Sequence, residues 1–294
     1  MITQLKKIFP SLIILTDIDQ NLDSNFEWYL HDTNELIGIH KSELTSKDKG
    51  LLATFLEPYT HTFPLPTQKE KLWENRITNH SNMQLDANIT YRFVYFSISN
   101  NQIDPISFKE ALNELFAMDI TILWENQQEG IIIEEQKKHA EEDISYEKII
   151  DILMSDLYVK INFLVGPFRE DLHLVKEHYE NLLRSAKMSF SYTDKNVLSY
   201  VEVIPYILID QIEASYKKEI SKTILKDFAT DQELLQTIEV FLESNLNISV
   251  AAKKLYMHRN SLQYRLDKFY EATGIDVRDF HQALTVYLAL LANN

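Results

Sequence analysis

The sequence predicts an α+β chain of more than one domain. Three observations carry this. Residues 1 to 192 alternate short β-branched or aromatic runs with helix-period segments. Residues 229 to 294 carry helical periodicity alone, and a length of 294 residues suffices for two or three domains. The expected divisions are a small α/β module over 1–87, a split-βαβ, ferredoxin-like unit over 88–192, a helical linker over 193–228 and an all-α unit over 229–294.

Composition narrows the function classes. The chain is 45% hydrophobic and 25% charged, as ordinary globular proteins are. It has no Cys, which excludes disulfides, thiolate zinc sites and Cys nucleophiles and fits a reducing cytoplasm. No signal-peptide core follows Met1, and no apolar run approaches the roughly 20 residues that span a bilayer, so no membrane partner is expected. Five glycines leave no room for a Walker or dinucleotide loop, and no cofactor is expected. The nine histidines are scattered without ligand spacing, so no metal site is expected.

In the first segment Leu12-Ile13-Ile14-Leu15 reads as a buried strand and Leu36-Ile37-Gly38-Ile39 as a second. Thr45 with Asp48, and Thr67 with Glu70, have capping-box spacing ahead of Leu51, Leu52, Phe55 and Leu56, and of Leu72, Trp73 and Ile77. The module reads as a sensor, with a small-molecule effector as its expected partner. Asp17 and Asp19, two apart at a strand end, have the spacing of the nucleophile and acid of haloacid-dehalogenase-type phosphatases. Gln20 and Asn21 replace the small residue and the Thr or Val that those enzymes carry next, and the chain has no Gly-Asp dipeptide for their metal motif. The pair therefore reads as two solvated carboxylates, with a phosphoesterase or cyclase-like enzyme as the alternative.

The second segment has a legible order. Ile89 to Ile98 is a strand, Asp104-Pro105 opens a helix with its Pro in the first turn, and Ile120–Trp124 and Gly130–Ile133 are strands around an Asn126–Gly130 hairpin. A helix with Ile149, Ile150, Leu153 and Leu157, a strand Val159–Val165 and a long helix with Val175, Tyr179 and Leu182 follow. This β-α-β-β-α-β-α order is also that of the nucleotide-cyclase palm, but the hairpin lacks paired glycines and adjacent carboxylates, so cyclase chemistry is not expected. In the linker Val197, Val201, Ile204, Leu208 and Ile212 fall near heptad spacing. They fit either internal packing or a homodimer seam, and Pro205 should kink or divide the helix.

The last segment carries the chemistry. Asp231 opens a helix that Asn245-Leu246-Asn247 ends. Ser249 should cap a short helix Val250–Tyr256, in which Ala251 and Ala252 admit a crossing helix and Lys253 and Lys254 face outward toward phosphates. After the turn Tyr256-Met257-His258, a helix Arg259–Ala272 buries Leu262, Leu266 and Phe269. Arg259, Asn260, Ser261, Gln263 and Tyr264 lie off that face in its first turn and a half, where a recognition helix enters the major groove of double-stranded DNA. Arg pairs with guanine, and Asn and Gln pair with adenine, through two bonds each. Arg265 and Lys268, further along, are expected at phosphates. Gly274 stops the helix, and a last helix packs back through Phe280, Leu284, Leu288 and Leu291. From Ser249 to Tyr270 five cations meet one anion, a net +4 that leaves −19 for the rest of a chain of net charge −15. A small basic face on an acidic body suits site-specific rather than general nucleic-acid binding.

The string His258-Arg259-Asn260-Ser261-Leu262-Gln263-Tyr264-Arg265-Leu266, with Asn247, Ser249, Ala251-Ala252, Leu255 and Thr273-Gly274, closely resembles the C-terminal domain of PucR/CdaR-type bacterial transcriptional regulators. The resemblance implies a Fis-type helix-turn-helix that binds DNA, with His258 inside its motif. Upstream it implies a GGDEF-like domain without cyclase activity, which Leu153 to Lys160 also resemble. It covers about residues 88 to 294 and gives no ligand for residues 1–87.

Overall fold

The computed structural model describes residues 2–15, 22–23, 25–31, 35–59, 63–78, 89–99, 103–136, 145–156 and 158–293. Asp17 and Asp19 lie outside these, as does Leu157. The chain divides into two compact units, Met1–Tyr91 with Phe96–Ile161, and Arg92–Tyr95 with Asn162–Asn294.

The first unit begins with helix α1 (Ile2–Ile8), strands β1 (Ile13–Leu15), β2 (Phe26–Leu30) and β3 (Leu36–His40), helix α2 (Ser46–Leu52) and strand β4 (Glu57–Tyr59). The four strands form an antiparallel sheet in the order β1-β3-β2-β4. Trp28 stands opposite Gly38, and a Cβ at Gly38 would come within 2.6 Å of the indole, so a glycine is required there. The strand expected at Leu12–Leu15 forms, but as an edge. Leu12 is buried while Ile13 and Ile14 are 39% and 40% exposed, and β1 pairs on one side only. Both expected capping boxes are present. The Thr45 side chain accepts from Asp48 N and its own N–H donates to Asp48 Oδ2 at 2.9 Å. Thr67 N donates to Glu70 Oε2 at 2.7 Å as helix α3 (Gln68–Thr78) begins. Helix α2 stops at Leu52, leaving Leu51 and Phe55 exposed and only Leu52 and Leu56 in the core.

Strand β5 (Tyr91–Ile98), helix α4 (Pro105–Phe116), strands β6 (Thr121–Trp124) and β7 (Glu129–Glu135), helix α5 (Tyr146–Asp156), strand β8 (Ile161–Val165) and helix α6 (Val175–Ser189) follow the expected order. The sheet runs β6-β7-β5-β8-β9, with β9 at Val197–Ser199, and its first four strands stand in the order of a split-βαβ unit. Asp104 caps α4 by accepting from Ile106 N and Ser107 N, both at 3.0 Å. Glu70 on α3 is buried, and its Oε1 accepts from Lys109 Nζ at 2.7 Å and from Ile122 N at 2.8 Å, so one carboxylate ties α3, α4 and β6 together. At the β6–β7 hairpin Asn126 Oδ1 accepts from Gln128 N and Glu129 N, closing the turn with an amide side chain.

The fifth strand corrects the reading of Val197. Val197–Ser199 is β9, parallel to β8 with Phe163 beside Val197 and Val165 beside Ser199. The free edge of β8 takes up this short β-branched run, and Leu198 is fully buried. The heptad-like series thus crossed a strand–helix junction, and helix α7 (Tyr200–Asp210) starts after it. Pro205 does not divide α7. It removes the hydrogen bond to the carbonyl of Val201, a residue 80% exposed, where water can replace it. The break comes instead before helix α8 (Ala214–Leu225).

Helices α9 (Gln232–Glu243), α10 (Ile248–Lys254), α11 (Arg259–Thr273) and α12 (Phe280–Asn293) complete the second unit. Their core holds Leu234, Ile238, Phe241, Ala251, Ala252, Leu262, Leu266, Phe269, Val286 and Ala289. The face of α12 differs from expectation. Phe280 and Leu284 are 67% and 45% exposed, while Ala283, Val286, Ala289, Leu290 and Leu291 are buried. Leu291 packs inward as expected, while at the start of the helix the small Ala283 and Val286 take the packed side and Phe280 is left outside.

Candidate nucleic-acid interface

Three helices build the site, and local chemistry sets each boundary. Asp231 caps α9, its carboxylate accepting from Leu234 N at 3.1 Å. Asn245 and Leu246 turn the chain with φ of 54° and 58°. The cap of α10 is Asn247, whose Oδ1 accepts from Ser249 N and Val250 N at 3.0 and 3.1 Å, so Ser249 lies inside the first turn. Either residue could serve as a cap. The left-handed pair before Asn247 delivers the chain in position one turn fraction earlier than a Ser249 cap would need.

The glycine-free turn is a Schellman motif. Tyr256 N donates to Lys253 O at 3.2 Å and Met257 N to Ala252 O at 3.0 Å, with Tyr256 in the left-handed region at φ 53°. His258 then caps α11, its Nδ1 accepting from Asn260 N at 3.2 Å, which leaves Nε2 for other partners. At the far end Gly274, φ 77°, stops α11 as expected, and Lys226 Nζ donates to Ala272 O and Thr273 O at 3.2 and 3.0 Å. A cation on those terminal carbonyls complements the helix dipole.

Leu262, Leu266 and Phe269 are buried, as expected, and fix which side of α11 faces out. Arg259, Asn260, Ser261 and Tyr264 are exposed, with Gln263 half-buried beside them. Lys253 and Lys254 are exposed at the end of α10. Of the expected residues, all but Gln263 and Arg265 are thus exposed. The outward line of α11 turns acidic beyond Tyr264, at Asp267 and Glu271. Arg278 Nη1 donates to Asp267 Oδ1 at 2.8 Å, and Arg278 Nε to Asp276 Oδ1 at 2.6 Å. The bond from Arg278 holds the Asp276 carboxyl below the usual carboxylate range, against a smaller opposing effect of burial. The exposed stretch free of acids thus covers the first turn and a half of α11.

One cation sits differently from expectation. Arg265 turns back into the domain, donating to Thr237 Oγ1 at 2.9 Å and to Glu233 on α9. Lys268 Nζ lies 5.9 Å from the centre of the Phe228 ring. Arg265, Lys268, Asn260, Ser261 and Tyr264 line an open cleft of about 500 Å³ whose other wall is Asp231, Glu233 and Leu234. Its two acids make the cleft mixed in charge. The sequence reading did not find Glu233 and Thr237, although their i, i+4 spacing on α9 puts an acid and a hydroxyl on one face.

Among the described residues no His, Asp and Glu cluster could hold a metal ion, and no helix is long and apolar enough to cross a membrane. Residues 234–292 match the PucR C-terminal helix-turn-helix domain. The chain is 29% identical over 264 residues to the uncharacterized protein YxkF of Bacillus subtilis, covering 87% of each. It is 24% identical over 207 residues to the purine catabolism regulatory protein of Bacillus subtilis, covering 70% of this chain and 38% of that one. It is 29% identical over 94 residues to the carbohydrate diacid regulator of Escherichia coli, covering 31% of this chain and 24% of that one. The purine catabolism and carbohydrate diacid proteins are regulators by name, and residues 234–292 relate the chain to transcription regulators of the PucR/CdaR type.

Proposed function

We propose that the chain is a cytoplasmic, sequence-specific regulator of a metabolic operon that inserts the start of α11 into the major groove of its operator. One observation carries this reading: the groups suited to base edges, Arg259, Asn260, Ser261 and Tyr264, are exposed opposite a fully buried leucine and phenylalanine face. Gln263 adds an amide at the flank. Lys253, Lys254, His258 and Lys268 hold phosphates, and the unit is of Fis type. The relatives' roles in purine catabolism and in carbohydrate diacid regulation support a metabolic target.

The division into a sensor module (1–87), a non-catalytic GGDEF-like domain (88–192), a linker (193–228) and the DNA-binding unit (229–294) goes with this reading. A small-molecule effector acts on the upstream part. The chain works as a homodimer, for which the exposed series Val201, Ile204 and Leu208 on α7 offers an apolar seam at i, i+3, i+7 spacing. Selection of bound duplexes from a random pool tests the whole reading. A recovered site with two related halves is expected. Arg259→Ala should then weaken binding by about 1–3 kcal/mol and relax one base position. An Arg259→Ala protein that shifts the selected duplex as well as the parent does would overturn the assignment of α11.

A further inference from the structure

Arg265 stands three residues after Leu262, about 60° around the helix from it, at the flank of the buried face rather than on the outward line. Its guanidinium meets two acceptors on α9. Nη1 donates to Thr237 Oγ1 at 2.9 Å, and the Thr237 hydroxyl, in a residue 1% exposed, donates in turn to Glu233 O at 2.8 Å. Nη2 donates to the Glu233 carboxylate. Glu233 and Thr237 are one turn apart, so the planar fork spans two successive rungs of α9. A lysine presents its donors from one nitrogen and cannot reproduce the two-nitrogen fork that meets both acceptors here. The carboxylate side is open to water, Glu233 being 76% exposed, and is therefore screened. The buried hydroxyl side is not screened.

We propose that Arg265 is the positioning residue of the recognition helix, setting the orientation of α11 on α9 through Thr237 and Glu233, and that it does not bind phosphate. This rests on the DNA-binding reading of α11. To reach a phosphate the guanidinium would have to leave Thr237, a buried hydroxyl on α9. Lys253 and Lys254, by contrast, make no ion pair among the described residues and reach phosphate at no such cost.

The test compares Arg265→Lys, Arg265→Ala, Thr237→Val and the Ala/Val double variant, with Lys253→Ala as a phosphate-contact reference, all in the full chain. Binding to the labelled duplex recovered by selection is measured against salt, at a temperature where every variant is folded, and thermal midpoints are measured without DNA. Arg265→Lys and Thr237→Val should each weaken binding about tenfold, with the salt slope of the parent unchanged. The double variant should bind no worse than Arg265→Ala, and the midpoints should show the same non-additivity. Lys253→Ala should instead lower the salt slope by about 0.9 for each copy bound. Parent-like binding by Arg265→Lys, or a lowered slope in Arg265→Ala with Thr237→Val silent, would make Arg265 a phosphate contact. Lowered midpoints with parental affinity throughout would reduce it to a stabilising contact. If no duplex is selected at all, the DNA-binding reading fails separately, and additive midpoints would still overturn the tie.

Discussion

At the scale of single residues, α10 and α11 each end on a left-handed position, and the two have opposite chemistry. Gly274 occupies its position without strain, and a Cβ there meets nothing within 4 Å, so only the backbone angle opposes a side chain. Tyr256 holds the equivalent position after α10 while 99% exposed, so its ring provides no packing to offset the cost of its backbone. Tyr256→Asn should therefore stabilise the protein by about 0.5 kcal/mol, since Asn tolerates the left-handed region, and Gly274→Ala should destabilise it by about 1 kcal/mol. Thermal denaturation checks both, and a lower midpoint for Tyr256→Asn would show that the tyrosine has a partner. The two positions also show the limits of the sequence. Gly274 is legible because glycine is the usual residue there. Tyr256 is not, because nothing in its type marks a Schellman turn, and the turn could be placed only by the spacing of Ala251 and Leu262.

At the scale of elements, caps were the most legible feature and burial faces the least. Thr45, Thr67, Asp104 and Asp231 could be read because a cap needs one side chain at a fixed offset from the residue it serves. The faces of β1 and α12 could not, since which apolar residues go inward depends on what a distant segment supplies. Asp104 allows a test. Partial burial works to raise its pKa, but the bonds from Ser107 and Ile106 outweigh this and hold it below the usual carboxylate range. A folded-state pKa below the unfolded value means that the cap's ionic contribution is complete above about pH 4. It is lost as pH falls through the folded value. Asp104→Asn should keep the neutral-pH stability and remove this acid-side loss, whereas Asp104→Ala should cost about 1 kcal/mol at neutral pH. Urea unfolding at pH 7 and pH 3 measures both. An Asn variant that loses stability between those values as steeply as the parent would show that other carboxylates dominate.

At the scale of the whole molecule, a net +4 surface works against −19 elsewhere, so nearby acids oppose every phosphate contact and few cations are left to make them. With Arg265 engaged inside the domain, three lysines per copy remain for phosphates: Lys253, Lys254 and Lys268. Each neutralised phosphate contributes about 0.9 to the slope of log affinity against log salt, so one copy should give a slope of about −3 and a pair about −5. Raising salt from about 50 to about 200 mM should then weaken binding about fortyfold for one copy and about two-thousandfold for two. The salt dependence therefore reports stoichiometry without a crystal of the complex. Ile204 lies in the middle of the exposed α7 series, and a charge there opposes pairing through it. Ile204→Glu should convert the steep slope to the shallow one and halve the mass measured by sedimentation, leaving the first-turn contacts of α11 intact. A slope near −5 that Ile204→Glu leaves unchanged would place the pairing surface elsewhere, and a slope near −3 in the parent would mean that one copy binds alone.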